Sequence, residues 1–319
     1  MTGGELAIAC AVDAVAGDPR WFPHPVRGMG VVISWCDQFV YRQLLSPGQQ
    51  RIAGVLLAVA LPAGAYGAGA LLIWFAGSIG PLWGNAASVV LAWTTLAARD
   101  LIDHVLVVQA ALQSASLPDA RAAVAKIVGR DTEEMEEPDI VRATVETIAE
   151  STADGVMAPL FYLVIGGAPL ALAYKAINTL DSMIGHMDAR YRWFGWASAR
   201  LDDAANFIPA RLTACLLVVA SGVVFRSSPV VIRAWRVLLR DGGKHASPNS
   251  GRPEAAMAGA LGVQLGGMNF YDGLPVTRSC LGDAVQSLAG EHIGFALRLM
   301  VWASLLGLAL GMGFVMVQG

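Results

Sequence analysis

The sequence predicts an all-α, polytopic membrane protein: a helical bundle with broken or re-entrant helices, whose polar cytoplasmic loops form one cavity. Of its 319 residues, 55% are apolar and 15% are charged, and the mean hydropathy is +0.54. Residues 52–81 and 299–317 carry no charge. Each run is close to or longer than the roughly 20 helical residues that cross about 30 Å of hydrocarbon. A net charge of −3 gives no basic surface for nucleic acid.

The distribution of basic residues predicts which segments face the cytoplasm. Lys and Arg are concentrated in residues 18–51, 113–154 and 226–252, so these segments are expected on the cytoplasmic side. The apolar stretch at residues 6–17 is too short to span and is expected to be a helix packed on the bundle. The scattered cysteines form no Cys-x-x-Cys pair, which argues against a thiolate metal site.

We expect one membrane-embedded domain over residues 1–319, with between four and six crossings. Gly166-Gly167-Ala168-Pro169 interrupts an apolar stretch, and irregular backbone at membrane depth is tolerated only against protein or water. The expected parts, in chain order, are a transmembrane hairpin (52–112), an acidic cytoplasmic segment (113–154), broken helices (155–225), a basic loop (226–254) and a C-terminal transmembrane helix (293–317).

Acidic residues are concentrated in one part of the chain, since thirteen of the 25 carboxylates lie within residues 130–211. Arg142, Glu146 and Glu150 are spaced four residues apart, which places them on one helical face, and Asp154 follows one turn later. A surface ladder of ion pairs explains this spacing. A cluster at the mouth of a membrane cavity explains it too, and carboxylates there suit Mg²⁺, which shares its other ligands with water and phosphate oxygens.

Two more polar groups interrupt apolar stretches. Asn178 and Asp181 lie on one helical stripe with Lys175 beside it, and such a stripe is costly in a helical bundle unless it is satisfied or used. Asp202 and Asp203 form a second candidate cluster for a metal ion or phosphate at a helix entrance. Capping of that helix by the two aspartates is the competing interpretation.

The first polar loop, residues 17–27, contains three prolines. Proline restricts its own backbone and that of the residue before it, so the loop presents His24 and Arg27 at fixed positions. An interfacial loop ordered by proline is the alternative interpretation.

The second polar loop, residues 242–254, begins with Gly-Gly-Lys but does not match the phosphate-loop pattern, because a histidine follows the lysine. The loop either closes over phosphates or is a solvated connection. The glycines at 259, 262 and 266 predict close packing of helices after it. The loop's candidate side chains are Lys244, His245, Ser247 and Asn249.

Five segments resemble, in the same order, those of the adenosylcobinamide-phosphate synthase family of cobalamin biosynthesis, known as CbiB or CobD. Ser151 stands where asparagine is expected in many relatives. The matching segments are GDPRWFPHPVRGMG from Gly17, GRDTEEMEEPDIVRATVETIAESTADGVMAPLFY from Gly129, YKAINTLDSMIGH from Tyr174, FGWASARLDDAANFIPARLTA from Phe194 and HASPNSGRPEAAMAGALGVQLGG from His245.

The resemblance implies a membrane-bound ligase that joins aminopropanol, or its phosphate, to a propionate carboxylate of adenosylcobyric acid with hydrolysis of ATP. It also implies a multi-pass protein of the bacterial cytoplasmic membrane whose active site faces the cytoplasm. The expected cofactors are ATP and Mg²⁺. The expected partners are the two substrates, the lipid bilayer and other membrane enzymes of the cobalamin pathway, without nucleic acid.

Roles for individual residues are hypotheses placed on the matched segments and are not transferred from known family residues. Carboxylates near the helix entrances are assigned to the metal: Glu146, Glu150, Asp154, Asp202 and Asp203. Groups that transfer protons or hold reacting oxygens are assigned to catalysis: His24, Lys175, Asp181 and His245. Hydrogen-bond donors suited to the nucleotide and substrate are Arg27, Arg142, Asn178, Arg211, Lys244, Ser247 and Asn249.

Two other function classes are weighed against the ligase. A magnesium-dependent membrane phosphotransferase or prenyltransferase also gathers aspartates at helix mouths, but the Asp-x-x-Asp-Gly-x-x-Ala-Arg pattern of the CDP-alcohol enzymes is missing. A transporter also uses broken helices, but it places ionisable groups near the bilayer midplane and shows paired halves. The two halves of this chain do not match.

Overall fold

The computed structural model describes residues 1–43, 45–186 and 188–318. Its contacts group the chain into two compact units, each assembled from segments distant in sequence. The expectation of a single domain stays a prediction, because this grouping reports contacts and not whether either unit folds alone. The first unit is Met1–Ala97, Ala158–Asn206 and Leu310–Gly319, and the second is Ala98–Met157 and Phe207–Ala309.

Helices dominate the described residues, which confirms the predicted all-α class. A π-helical turn, Thr152–Met157, lies between the seventh and eighth helices. The only sheet in the described part of the chain is the hairpin β1 (Leu265–Tyr271) and β2 (Leu274–Leu281). The helices are α1 (Gly3–Ala16), α2 (Pro25–Arg42), α3 (Pro47–Ile79), α4 (Pro81–Trp93), α5 (Ala98–Gln113), α6 (Leu117–Val124), α7 (Glu137–Ser151), α8 (Ala158–Ile184), α9 (Trp196–Ala205), α10 (Phe207–Phe225), α11 (Ser228–Asp241), α12 (Gly251–Leu261) and α13 (Glu291–Gln318).

Side chains at the helix starts explain several of these boundaries. The Thr2 hydroxyl accepts from the backbone N–H of Glu5 at 3.2 Å, and the Glu5 carboxylate accepts from that of Thr2 at 2.7 Å. Ser46 and Gln49 form the same reciprocal pair at the start of α3. Such pairs satisfy backbone donors that the first helical turn leaves without partners. The predicted N-terminal helix is confirmed, and it packs against α4.

Four helical segments are long and apolar enough to cross a membrane: Pro47–Ile79, Glu137–Ile184, Phe207–Phe225 and Glu291–Val317. They include the first arm of the predicted hairpin and the predicted C-terminal span. The second arm of the predicted hairpin is divided between two helices, α4 and α5. Helix α4 covers only about 20 Å at 1.5 Å per residue, and the chain turns before α5 begins.

The predicted break in the apolar stretch is confirmed inside α8. Gly166 and Gly167 leave helical geometry, and Gly167 has φ +67° and ψ −168°, a conformation that a residue with a Cβ rarely adopts. Pro169 follows, and it cannot donate the backbone hydrogen bond that a continuous helix requires.

The segment expected to be a basic loop is largely helical. Helix α11 occupies about half of it and buries Ala234, Val237 and Leu238, which recur at helical spacing. The arginines on the other face hid this amphipathic pattern. Gly259 of α12 lies close to α11, since a Cβ there would come 2.8 Å from the Cα of Ala234. Close helix packing is therefore confirmed for Gly259.

Gly266 was expected to pack helices and instead belongs to strand β1, with φ +82°. Asp272 and Gly273, at φ +50° and +74°, form the two-residue turn between the strands. A two-residue turn with both φ angles positive matches the right-handed twist of a hairpin. Asp131 stabilises this turn by accepting from the backbone N–H groups of Asp272 and Gly273 at 3.2 and 2.7 Å.

A close approach of α3 to the segment before α9 gives a test of packing in the first unit. A Cβ at Gly54 would lie 1.9 Å from the carbonyl oxygen of Phe194, so Gly54→Ala must displace backbone. We expect this variant to lower the free energy of unfolding by about 1–3 kcal/mol. Gly64→Ala, on the same helix with no atom within 4 Å, is the control and should be neutral or slightly stabilising. Thermal unfolding in detergent measures both, and equal midpoints would contradict the packing.

Candidate functional sites in the two units

The first candidate site is a polar cluster between α8 and α9 in the first unit. The buried Tyr174 hydroxyl donates to the Asn206 side-chain oxygen at 2.9 Å, and the Asn206 amide donates to Asp202 at 3.0 Å. Tyr162 stacks on Tyr174 with ring centroids 4.9 Å apart, and its hydroxyl donates to the carbonyl of Ala205 at 2.9 Å. The Asp202 carboxylate is therefore held by a chain of buried hydrogen bonds.

Asp202 titrates far from its ordinary range. Burial raises the pKa of Asp202 to about 7, and the charge of Asp181 adds to this, while hydrogen bonds from Asn206 and Asn178 oppose it. The predicted residues Asn178, Asp181 and Asp202 are thus brought together. A carboxyl group that changes charge near neutral pH, beside a second carboxylate, suits proton transfer or cation binding.

Two other predicted residues of the first unit lie on these same helices. Asp203 faces Arg200 at 3.4 Å, and burial raises the pKa of Asp203 while Arg200 opposes the shift. Lys175 is half-buried on α8, next to Tyr174 in sequence. Asp203 neighbours Asp202 in sequence, and the predicted roles of Asp203 and Lys175 stay predictions.

The proline-rich loop uses its polar groups internally. The Arg27 guanidinium donates to the carbonyls of Pro19, Arg20 and Phe22 at 3.0, 2.8 and 3.3 Å. The Nε2 atom of His24 lies 3.3 Å from an Asp18 oxygen. These contacts favour the interpretation of an ordered loop, and the predicted roles of His24 and Arg27 in the reaction stay predictions.

In the second unit, the face of α7 that bears Arg142 and Glu146 packs against the β1–β2 hairpin. Glu146 accepts from Arg130 at 2.6 Å and from the backbone N–H of Gly266 at 2.7 Å. The side chains of Arg130 and Glu146 are only 5% and 7% exposed. Arg130 also donates to the side-chain oxygen of Asn269. Both Glu146 oxygens thus accept hydrogen bonds from protein donors, and the predicted role of Glu146 as a metal ligand stays a prediction.

Arg142 continues this contact one turn earlier on α7. Its guanidinium donates to the carbonyls of Gly266 and Met268 at 2.7 and 3.0 Å and to Asp139 at 3.1 Å. The four-residue spacing of Arg142, Glu146 and Glu150 therefore does not produce a ladder of ion pairs along α7. The face docks β1 instead. A cavity of about 300 Å³ lies beside it, lined by Arg142 and by Asp139, Gln264, Gly266, Gly267, Cys280, Gln286 and Ser287 among others.

A second acidic group gathers where α12 begins. The Ser250 hydroxyl donates to Glu150 at 3.2 Å. Glu254, only 3% exposed, was not singled out in the sequence, although it lies within a matched segment. Burial raises the pKa of Glu254 well above its usual range, Glu150 and Glu146 add to the shift, and Arg278 opposes it. The surroundings of Glu254 therefore favour its protonated, neutral form.

His245 lies in the same neighbourhood in a defined tautomer. The backbone N–H of Ser247 donates to its Nδ1 at 3.0 Å, so the ring proton belongs on Nε2, which is buried. Burial lowers the pKa of His245, and the charge of Arg278 lowers it further, against Glu150 and Glu146. The neutral ring thus presents a donor, whereas the predicted role as proton acceptor needs a free lone pair.

Lys244 forms an ion pair and does not lie in an open loop. Its ammonium lies 2.6 Å from Asp241, which also accepts from Arg240 and, at 2.9 Å, from the backbone N–H of Gly282. Arg240 and Lys244 hold the pKa of Asp241 well below its usual range, and the Gly282 N–H contributes, while burial opposes the shift. The ion pair of Lys244 with Asp241 therefore fixes the start of the second polar loop.

Among the residues that the structure describes, no three His, Cys, Asp or Glu side chains form a metal-binding group. Glu146, Glu150 and Asp154 belong to the second unit, with Asp154 in the π-helical turn, and Asp202 and Asp203 belong to the first. A Mg²⁺ ion held by one or two of these carboxylates would take its other ligands from water and phosphate oxygens, as is usual for this ion at nucleotide sites.

Long apolar helices with buried polar clusters define the chain as a helical membrane protein with candidate ligand sites. The sequence profile of the family described as CobD/Cbib protein matches residues 6–300. A protein of Geobacter metallireducens named "Cobalamin biosynthesis protein CobD" is 49% identical over 308 residues, 95% of this chain and 94% of the relative.

A protein of Salmonella typhimurium named "Cobalamin biosynthesis protein CbiB" is 43% identical over 310 residues, 97% of this chain and 96% of the relative. The chain therefore belongs to the CobD/CbiB family, and the names of its relatives associate that family with cobalamin biosynthesis. No solved structure matches the chain.

The buried pair of Arg130 and Glu146 predicts what Glu146→Gln does. Removing one partner of a buried ion pair costs about 3–5 kcal/mol, because the other charge stays buried. We expect backbone amides of β1 and β2 to exchange with deuterium at least about 100-fold faster in this variant. Glu134→Gln, which changes an exposed carboxylate of the same acidic segment, is the control. Unchanged protection of β1 in Glu146→Gln would show that this pair does not dock the hairpin.

The low pKa of Asp241 predicts a dependence of stability on pH. A depressed folded-state pKa stabilises the protein above the unfolded value of about 3.9, and this contribution is lost as the pH falls toward the folded value. We expect the unfolding temperature of the wild type to fall more steeply than that of Asp241→Asn between about pH 5 and pH 3. Fluorescence-detected unfolding in detergent measures both, and parallel curves would contradict this linkage.

Proposed function

We propose that this protein is an ATP-dependent amide ligase that attaches aminopropanol, or aminopropanol phosphate, to a propionate carboxylate of adenosylcobyric acid. The product is adenosylcobinamide or its phosphate. Membership in the CobD/CbiB family over residues 6–300 carries the proposal. It includes a multi-pass arrangement in the bacterial cytoplasmic membrane with the site facing the cytoplasm, for which the four long apolar helices are the support.

The chemistry needs an activated acid, because a carboxylate is a poor electrophile. A carboxylate oxygen of the corrinoid attacks the γ-phosphorus of ATP, and the bond to the bridging oxygen breaks as ADP leaves. The amine nitrogen then attacks the carbonyl carbon of the acyl phosphate, phosphate leaves with its oxygen, and the nitrogen loses a proton. Bound Mg²⁺ supplies charge neutralisation on the phosphate oxygens.

The cluster of Asp181 and Asp202 is the proposed acceptor of the amine proton. Burial and, after it, the charge of Asp181 raise the pKa of Asp202. Two neighbouring carboxylates can therefore share one proton. Tyr174 and Asn206 fix the position of Asp202 and leave its charge to respond to the substrate. Lys175, on the same helix, is the proposed contact for a reacting oxygen.

The proposed metal ligands are carboxylates, with Glu150 the first choice beside the start of α12. Asp154, Asp202 and Asp203 stay in this set as predictions. Glu146 stays in this set as a prediction too, although its two oxygens already accept from Arg130 and Gly266. The convergence of all proposed residues on one cavity also stays a prediction.

Purified protein tests the function directly. ATP hydrolysis should depend on the simultaneous presence of adenosylcobyric acid and the amine, and the amide product should appear in a mass spectrum. Turnover without the corrinoid would favour a phosphotransferase. Binding of the corrinoid with no covalent product would favour a transporter.

Replacement of either carboxylate in the proposed proton acceptor tests the site. We expect Asp181→Asn and Asp202→Asn each to lower the rate of amide formation about 100-fold or more, which is the usual contribution of a positioned acid or base. Asp103→Asn is the control, since Asp103 is half-exposed on α5 and pairs with Arg99. The rates are compared for variants with wild-type unfolding temperatures. Near wild-type rates in both site variants would rule out this assignment.

A further inference from the structure

We propose that Arg211 and Arg252, both in the second unit, form a binding site for the phosphoryl oxygens of a polyphosphate or phosphate-ester ligand. The inference rests on the proposed function only for the biological identity of that ligand. The site itself is argued from the contacts of the two arginines, of which Arg252 was not singled out in the sequence.

Arg211 is oriented before any ligand arrives. Its Nη1 donates to the carbonyl of Phe207 at 2.6 Å and to the side-chain oxygen of Asn249 at 3.3 Å. The guanidinium lies 3.5 Å over the Phe207 ring, which fixes its plane. Both Nη1 hydrogens are thus used, while Nε and Nη2 find no acceptor among the described residues. That edge is the one with which arginine binds phosphate through two parallel hydrogen bonds.

Arg252 is held beside the same asparagine. Its backbone N–H donates to the carbonyl of Asn249 at 3.0 Å. Its side-chain stem lies against Gly242, where an added Cβ would come 3.2 Å from the arginine Cδ. The Nε atom is buried and has no acceptor within residues 1–43, 45–186 and 188–318. Asn249 therefore connects two guanidinium groups, one through its side chain and one through its backbone.

The two arginines lack a carboxylate partner of the kind that several other arginines of this unit have. Arg130 pairs with Glu146 and Arg142 with Asp139, whereas neither Arg211 nor Arg252 forms an ion pair with a described residue. They also lie close enough for their charges to repel. Arg211 lies near the start of an apolar helix of membrane-spanning length, where a second cation nearby is unfavourable unless an anion joins the two.

The surroundings favour a phosphate that carries a metal ion. The positive end of the α12 dipole adds to the attraction for an anion. Glu150, which accepts from Ser250 at the start of α12, places negative charge nearby. A cation between that carboxylate and the phosphate would remove their repulsion, which is how Mg²⁺ binds nucleotides.

Three sources share this chemistry: the triphosphate of a nucleotide, the phosphate ester of the amine substrate, and a lipid headgroup. The lipid belongs in this set because Arg211 lies in the first turn of the candidate span Phe207–Phe225. The proposal is the phosphoryl site, and competition experiments separate the sources.

Binding of inorganic tripolyphosphate to the full chain, in a detergent without phosphate or phospholipid, tests the site by calorimetry. We expect Arg211→Gln and Arg252→Gln each to weaken binding about 10- to 100-fold, since each loses a charge-assisted bidentate contact. Arg252→Lys should retain part of the affinity. Arg236→Gln, an exposed arginine on α11, is the matched control and should bind within twofold of the wild type. Unfolding temperatures show that the variants are folded.

Unchanged tripolyphosphate affinity in both folded glutamine variants would overturn the proposal, and so would an equal loss in Arg236→Gln. Displacement of bound tripolyphosphate by ATP, by aminopropanol phosphate or by short-chain phosphatidylglycerol identifies the source, and each supports the site. Specific loss of binding in a protein without ligase activity would refute the proposed function and leave the site standing. Ligase activity with unaltered binding in both variants would do the reverse.

Discussion

The ion pair between Arg130 and Glu146 is the interaction on which the arrangement of the second unit depends. Both side chains are nearly excluded from solvent, so each charge is tolerable only because the other lies 2.6 Å away. The same carboxylate accepts from Gly266, and the same guanidinium donates to Asn269. One buried pair thereby connects α7, the segment before it and strand β1. The hairpin carries Arg278, whose charge acts on both His245 and Glu254 near the start of α12.

The sequence was informative wherever the signal is local. Apolar runs of spanning length, and the Gly-Gly-x-Pro break in α8, follow from lipid thickness and backbone chemistry alone. The polar face of α7 was also predicted from the sequence. Its contact with strand β1 was not, because Glu146 accepts from Gly266, which lies 120 residues later in the chain. The hairpin did have a local signal in Asp272-Gly273 between β-forming residues. The preceding glycines, interpreted as helix packing, obscured it.

The structure also shows which candidate residues already have protein partners for their polar groups. Glu146, Arg27 and Lys244 are polar residues of matched segments, and composition cannot distinguish them from ligand-binding groups. Each turns out to hold a piece of the fold: the hairpin, the proline-rich loop and the start of the second polar loop, respectively. A charged side chain with a protein partner stabilises the fold. Substituting such a residue to test catalysis would therefore disturb the fold as well.

Three other polar residues, Asp202, Arg211 and Arg252, have fixed positions but charges that the described part of the protein does not neutralise. Asp202 is held by a chain of buried hydrogen bonds, yet burial and, after it, the charge of Asp181 disfavour its ionised form, which a proton or a cation would relieve. Arg211 and Arg252 are held just as firmly, yet their charges repel and lack a carboxylate. Fixed position with unsatisfied charge is the condition in which a side chain binds a ligand without reorganising. The proposed ligase would need a positive site for a phosphate and a negative site for an ammonium group. The proposed sites are of these two kinds, and each lies in a different unit.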